Sequence, residues 1–180
     1  MNSSVFDDIT TRGRQQFSPP VGTTSAHLES RNIRIAGNDR ARIVLESIAY
    51  WPNGFTLNLA TFLRAPAQRI PLLLHHPLEQ PPAPDGPCLA VRFADGRRAT
   101  TLDPLEYERD VTNAVVLNLG SGAGGSETFM REGIYVEPLP PPGAVTVTAR
   151  WHALGVDEGS IELDGTAIRA GAGRALSVWS

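Results

Sequence analysis

The 180-residue chain contains no lysine, and all 16 of its basic residues are arginine. Arginine and lysine both solvate a surface, so the bias fits codon usage in a GC-rich genome. Its chemical force lies in what it forbids: no Schiff-base lysine, no P-loop lysine and no lysine general base. Cysteine is nearly absent as well. Cys88 stands alone, which excludes intramolecular disulfides and Cys-based zinc sites. Charge is sparse, 19% of residues with a net −3, so no global field recruits nucleic acid. Apolar runs are far shorter than the roughly 20 residues of a spanning helix. The first residues, MNSSVFDDITTRGRQQF, carry no apolar segment of the signal-peptide kind. A cytoplasmic protein without membrane or nucleic-acid partners is the expectation.

Glycine and proline are plentiful, 17 and 15 residues, and they punctuate the chain into short segments. Residues 1–30 are polar and read as a flexible N-terminal arm, with a single domain over 31–180 and a folded part starting near Ile33. In RARIVLESIAYWPNGFTLNLATFL the apolar residues alternate on both sides of a Pro52-Asn53-Gly54 turn. Period two places Ile43, Leu45, Ser47 and Ala49 on one face of the first strand. It places Phe55, Leu57, Leu59, Thr61 and Leu63 on one face of the second. A proline-dense loop follows, with at most a short strand over Ile70–Leu74. Leu89, Val91 and Phe93 alternate up to an Asp95-Gly96 turn, and Arg98–Leu102 returns. Asp103 with Pro104 could open one helical turn in DPLEYERD. Strands are expected at Ala114–Leu119 and Thr128–Leu139. Val145, Val147, Ala149 and Trp151 alternate against Thr146, Thr148 and Arg150, and Asp164-Gly165 reads as a further hairpin turn. The sum is an all-β chain with little helix: eight to nine short strands in an antiparallel β-sandwich, immunoglobulin-like or related.

The motifs carry little chemistry. Gly120, Gly122 and Gly125 fit G-x-G-x-x-G, but a dinucleotide site needs a helix to present its N-terminus to the pyrophosphate. The following SETFMREGIYVEPLPPPG contains Gly133 and four prolines, which stop any helix after about two turns. Ser-Glu after Gly125 rules out a Walker loop. The glycines read as a flexible hairpin tip. His75 and His76 point to opposite sides of an extended chain, so they rarely ligate one metal, and they read as a solvated pair on the proline loop. No G-x-S-x-G elbow is present, and Cys88 reads as a small core residue. Arg97 and Arg98 could contact an anion, but the interleaved aromatics of a single-strand nucleic-acid surface are missing. Trp151 is expected in the core. Trp51 and Trp179, at a turn and near the C-terminus, suit either interface anchors or plugs for the sandwich ends.

The block VRFADGRRATTLD, the glycine-rich stretch and VEPLPPPGAVTVTARWHALGVDEGSIELDGTAI together resemble a family of actinobacterial proteins. In that family an F-x-D-G-R hairpin precedes a polyglycine tip and a P-L-P-P-P-G connection. The resemblance covers residues 89 to 168. The family has no established activity, so it implies no catalytic residue; it implies only that the glycines are a variable tip. The expectation is therefore a non-enzymatic β-sandwich, an accessory or regulatory module that works through a protein partner or self-association and needs no cofactor. Its contact residues would be Trp51, His75, His76, Arg97 and Arg98. A small-ligand or carbohydrate-binding sandwich is the alternative, and a metal-assisted hydrolase built on His75 and His76 comes third.

Overall fold

A computed structural model describes residues 19–68, 70–74, 85–103 and 114–179. Within them the chain is an antiparallel β-sandwich. The strands are β1 (Thr24–Ser25), β2 (His27–Gly37), β3 (Ala41–Trp51), β4 (Gly54–Leu63), β5 (Pro87–Arg92), β6 (Arg98–Thr100), β7 (Val116–Gly125), β8 (Phe129–Glu137), β9 (Ala144–Trp151), β10 (Val156–Asp164) and β11 (Leu176–Ser177). One helix, α1 (Gly165–Ala172), follows β10. Five strands form one sheet in the order β2-β3-β4-β8-β7, and four form the other in the order β10-β9-β5-β6. β1 and β11 make a separate two-stranded ribbon.

The core lies between the two larger sheets. Ile43, Leu45, Phe55, Leu57, Leu59, Ile134 and Val136 from one face meet Leu89, Val91, Val145, Val147 and Trp151 from the other. The period-two reading holds on β4 and β9. It fails halfway along β3, where the register with β4 shifts between Leu45 and Ser47. This bulge adds one residue and moves the next apolar pair, Ile48 and Tyr50, onto the core face, where both are fully buried. Ser47 turns outward and accepts a hydrogen bond from Asn58 at 3.0 Å. Ala49 joins the outer face as well.

Three further expectations change. The folded part reaches upstream of Ile33, because β2 starts at His27 and pairs with β3 from Tyr50 onward. The Asp164-Gly165 doublet is a helix start instead of a hairpin turn. The Asp164 carboxylate accepts the Thr166 N–H at 2.8 Å, capping α1, and Ile168 is buried beneath it. Asp-Gly serves either structure, and TAIRAGA beyond it favours helix. Residues 120–125 are no tip: they continue β7, paired with β8 as far as Gly125–Met130, with register shifts at Ser121. The actual tip is Ser126–Thr128, where the Ser126 N–H donates to the Phe129 carbonyl at 2.8 Å.

The segment 70–74 forms no strand, yet Ile70, Leu73 and Leu74 are buried in the core. The helical turn expected from Pro104 onward lies outside the described residues. Cys88 sits half-buried on the outer face of its sheet, because the alternation of β5 gives the core to Leu89 and Val91. The Arg150 Nε–H donates to its sulfur at 3.2 Å.

Candidate interaction surface and buried polar groups

The proposed contact residues do not converge. Trp51 stands at the end of β3 on the outer face of the five-stranded sheet. It is buried with Ala49 and Tyr135, and its indole N–H donates to Thr56 Oγ1 at 3.0 Å. A ring held in this way is no exposed anchor. Arg97 and Arg98 belong to the other sheet. Arg97 pairs with Asp95 at 2.8 Å across the hairpin turn and lies over the Phe93 ring, 5.4 Å from its centroid. Its charge and fork are thus engaged within the turn. Arg98 is exposed and sits opposite Arg92. His75 and His76 lie outside the described residues. Among the described residues no three His, Cys, Asp or Glu side chains gather as metal ligands.

The most exposed large apolar side chains lie elsewhere: apart from Leu28 of β2, 66% exposed, they are four residues near the two chain ends. Trp179 is 82% exposed, Val21 69% and Leu176 65%, with Val178 about half exposed. All four belong to the two chain segments that meet at the β1–β11 ribbon. Ser25 pairs with Leu176 and Thr24 with Ser177. The Val178 N–H donates to the Thr23 carbonyl at 3.0 Å, and the Trp179 indole N–H to the Gly22 carbonyl at 3.3 Å. Backbone pairing fixes the ribbon while its apolar side chains face solvent, the reverse of what an isolated fold would gain from. The ribbon is joined to the sandwich through Ala26, which packs on the Trp51–Tyr135 cluster, and through α1, whose Gly171 abuts the Tyr50 ring.

Two groups of buried polar atoms were not legible in the sequence. The Glu132 side chain occupies a core-facing position of β8 and is 3% exposed. Its carboxylate accepts the Leu73 N–H at 2.8 Å and the Leu74 N–H at 3.3 Å, tying the 70–74 segment to the sheet. Burial pushes this carboxyl up to about 7, against the two backbone donors, which favour the charged form. The second group is Asn53, Tyr135 and Glu137, at the Pro52-Asn53-Gly54 end of the five-stranded sheet. Tyr135 is 1% exposed, and burial drives its phenol upward, with the Glu137 charge adding to the effect. Burial also raises the Glu137 carboxyl to about 7, opposed by Tyr135 and Asn53. Only the alternation of Tyr135 with Ile134 and Val136 hinted that a polar ring shares a face with Glu137.

A shallow depression of about 240 Å³ lies where β10 meets β2, lined by Arg34, Gly37, Asn38, Asp157 and Glu158 among others. It brings cation and carboxylates together at a rim without a buried reactive group. No helix among the described residues is long and apolar enough to cross a membrane. No protein family, curated protein or solved structure matches this chain.

Proposed function

We propose that the protein is a non-enzymatic β-sandwich module of the cytoplasm that works through protein–protein contact, and that the β1–β11 ribbon is the contact surface. The observation that carries this reading is the concentration of exposed Val21, Leu176, Val178 and Trp179 on one short ribbon. Exposed tryptophan among aliphatic neighbours is the composition of an interface centre. This role moves the expected contact from Trp51 to Trp179 and leaves the arginine hairpin at the far sheet as surface.

The test is an association measurement on the full chain. Sedimentation across a concentration range reads self-association, and affinity capture with mass spectrometry reads a heterologous partner. Leu176→Asp and Trp179→Ala should each weaken the contact, Trp179→Ala by ~30-fold or more if it is a hot spot. Association unchanged in both variants would remove the ribbon from the contact surface.

A further inference from the structure

The depression where β10 meets β2 is shaped by an irregularity in each strand. β2 carries an extra residue where its register with β3 shifts between Arg34 and Ala36. β10 carries one where its register with β9 shifts between Val156 and Gly159. A bulge breaks strand alternation and re-aims side chains. Asp157 and Glu158, neighbours that a regular strand would send to opposite faces, both line the depression, and Arg34 lines it from β2. The frame around them is tight. A Cβ at Gly159 would strike the Ile35 carbonyl, and Asn38 donates to the Leu154 and Gly155 carbonyls at 3.0 and 2.9 Å. Opposite charges thus share about 240 Å³ without neutralising one another. Among the described residues, Arg34, Asp157 and Glu158 make no hydrogen bond or ion pair, with each other or with any other side chain.

We propose that this depression binds a free basic α-amino acid. The ligand's α-carboxylate pairs with Arg34, whose planar fork suits a carboxylate. Its α-ammonium and its side-chain cation pair with Asp157 and Glu158. Charges of both signs, held apart in one space, select a ligand that also carries both signs. Their count selects its net charge: one cation and two carboxylates are matched by one carboxylate and two cations. A metal ion would be repelled by Arg34, and no third acidic, histidine or cysteine ligand gathers there among the described residues. A simple anion would be repelled by the two carboxylates. The volume lies below the roughly 300–1,000 Å³ of drug-sized pockets, which suits a single amino acid better than a peptide. The depression shares no residue with the β1–β11 ribbon, so its test stands apart from that of the contact surface.

The test is an NMR titration of the ¹⁵N-labelled full chain at constant ionic strength, reading the Gly37, Gly155 and Gly159 amides. L-Arginine or L-lysine should give saturable shifts at these glycines. Citrulline lacks the side-chain charge of arginine, arginine amide lacks the carboxylate and Nα-acetyl-arginine lacks the ammonium. Each should bind roughly fivefold or more weakly, the worth of one partly exposed charged contact. The amide and the acetyl derivative also mimic a basic residue at a peptide end, so their weaker binding separates a free amino acid from a peptide terminus. Arg34→Gln should weaken L-arginine by the same factor and leave arginine amide unchanged. The double variant Asp157→Asn with Glu158→Gln should weaken both. All three side chains are exposed, so these variants should keep the fold, which the remaining amide signals check. No saturable shift from either basic amino acid would overturn the proposal. So would arginine-like affinity for any of the three analogues, or full affinity in either variant.

Discussion

Glu132 is the residue on which the 70–74 segment hangs. Its carboxylate takes the place of a strand partner for Leu73 and Leu74, whose N–H groups would otherwise be buried unpaired. Glu132→Ala should therefore cost roughly 2–4 kcal/mol, measured by urea unfolding, from two orphaned donors and the lost packing. The pH dependence follows from the direction of the shift. The folded carboxyl sits at about 7, above the ordinary 4.5, so the folded state holds the proton more tightly than the unfolded chain does. That contribution is full below pH 4.5 and is lost as pH rises through 7, and Glu137 acts in the same sense over the same window. Between about pH 5 and 8 the parent should lose stability on the order of 3 kcal/mol from Glu132. Glu132→Gln should remove that part of the slope while Glu137 keeps its own. An unaltered slope would assign the titration to another group.

Among elements, β7 departs furthest from its appearance in the sequence. Its glycines are of two kinds. A Cβ at Gly120 would come within 2.6 Å of the Thr56 side chain, and one at Gly125 would collide with the Phe129 carbonyl. Gly122 and Gly124 have open space around the same position. Alanine at 120 or 125 should then cost about 1–3 kcal/mol through overpacking. Alanine at 122 or 124 should be neutral or stabilising by several tenths of a kcal/mol, since it reduces unfolded-state freedom. Thermal unfolding of the four single variants decides the point: a mobile tip would tolerate all four equally. A strand whose glycines are set by close approach to Thr56 and Phe129 looks, as a string of letters, the same as a flexible loop. Likewise Asp164-Gly165 fits a hairpin turn or a helix cap, and Ile168 packing beneath α1 decides between them. Replacing Asp164 with alanine should cost about 1 kcal/mol, the usual worth of an N-cap.

At the scale of the molecule, the two sheets are joined along the β2–β10 edge. Gly159 lets β10 approach so closely that a Cβ there would strike the Ile35 carbonyl. Asn38 spans the joint: its Nδ2 donates to the Leu154 and Gly155 carbonyls at 3.0 and 2.9 Å, while its Oδ1 accepts the Arg40 and Ala41 N–H groups. Gly159→Ala should force the edges apart and cost roughly 1–3 kcal/mol. Hydrogen exchange should quicken in β2 and β10 before it does in β4 and β8. Uniform protection loss across both sheets would place the weak point elsewhere. The opposite end of the design is the β1–β11 ribbon, which gains little from the sandwich core and offers its apolar side chains outward.

The sequence by itself determined the class of fold. Alternation along β4 and β9 and the turns at Pro52-Asn53-Gly54 and Asp95-Gly96 need only local geometry, because side-chain period and turn chemistry are properties of a few adjacent residues. Tertiary structure alone decided the rest. It chose which side of the β3 bulge Ile48 and Tyr50 would face, and made strand of the glycines of β7. It carried Glu132 to Leu73 across 59 residues of chain. It also brought Asn53 beside Tyr135 and Glu137, and residues 21–25 beside 176–179. Each of these pairings joins residues far apart in sequence, and their energies come from burial and close approach that no local pattern encodes.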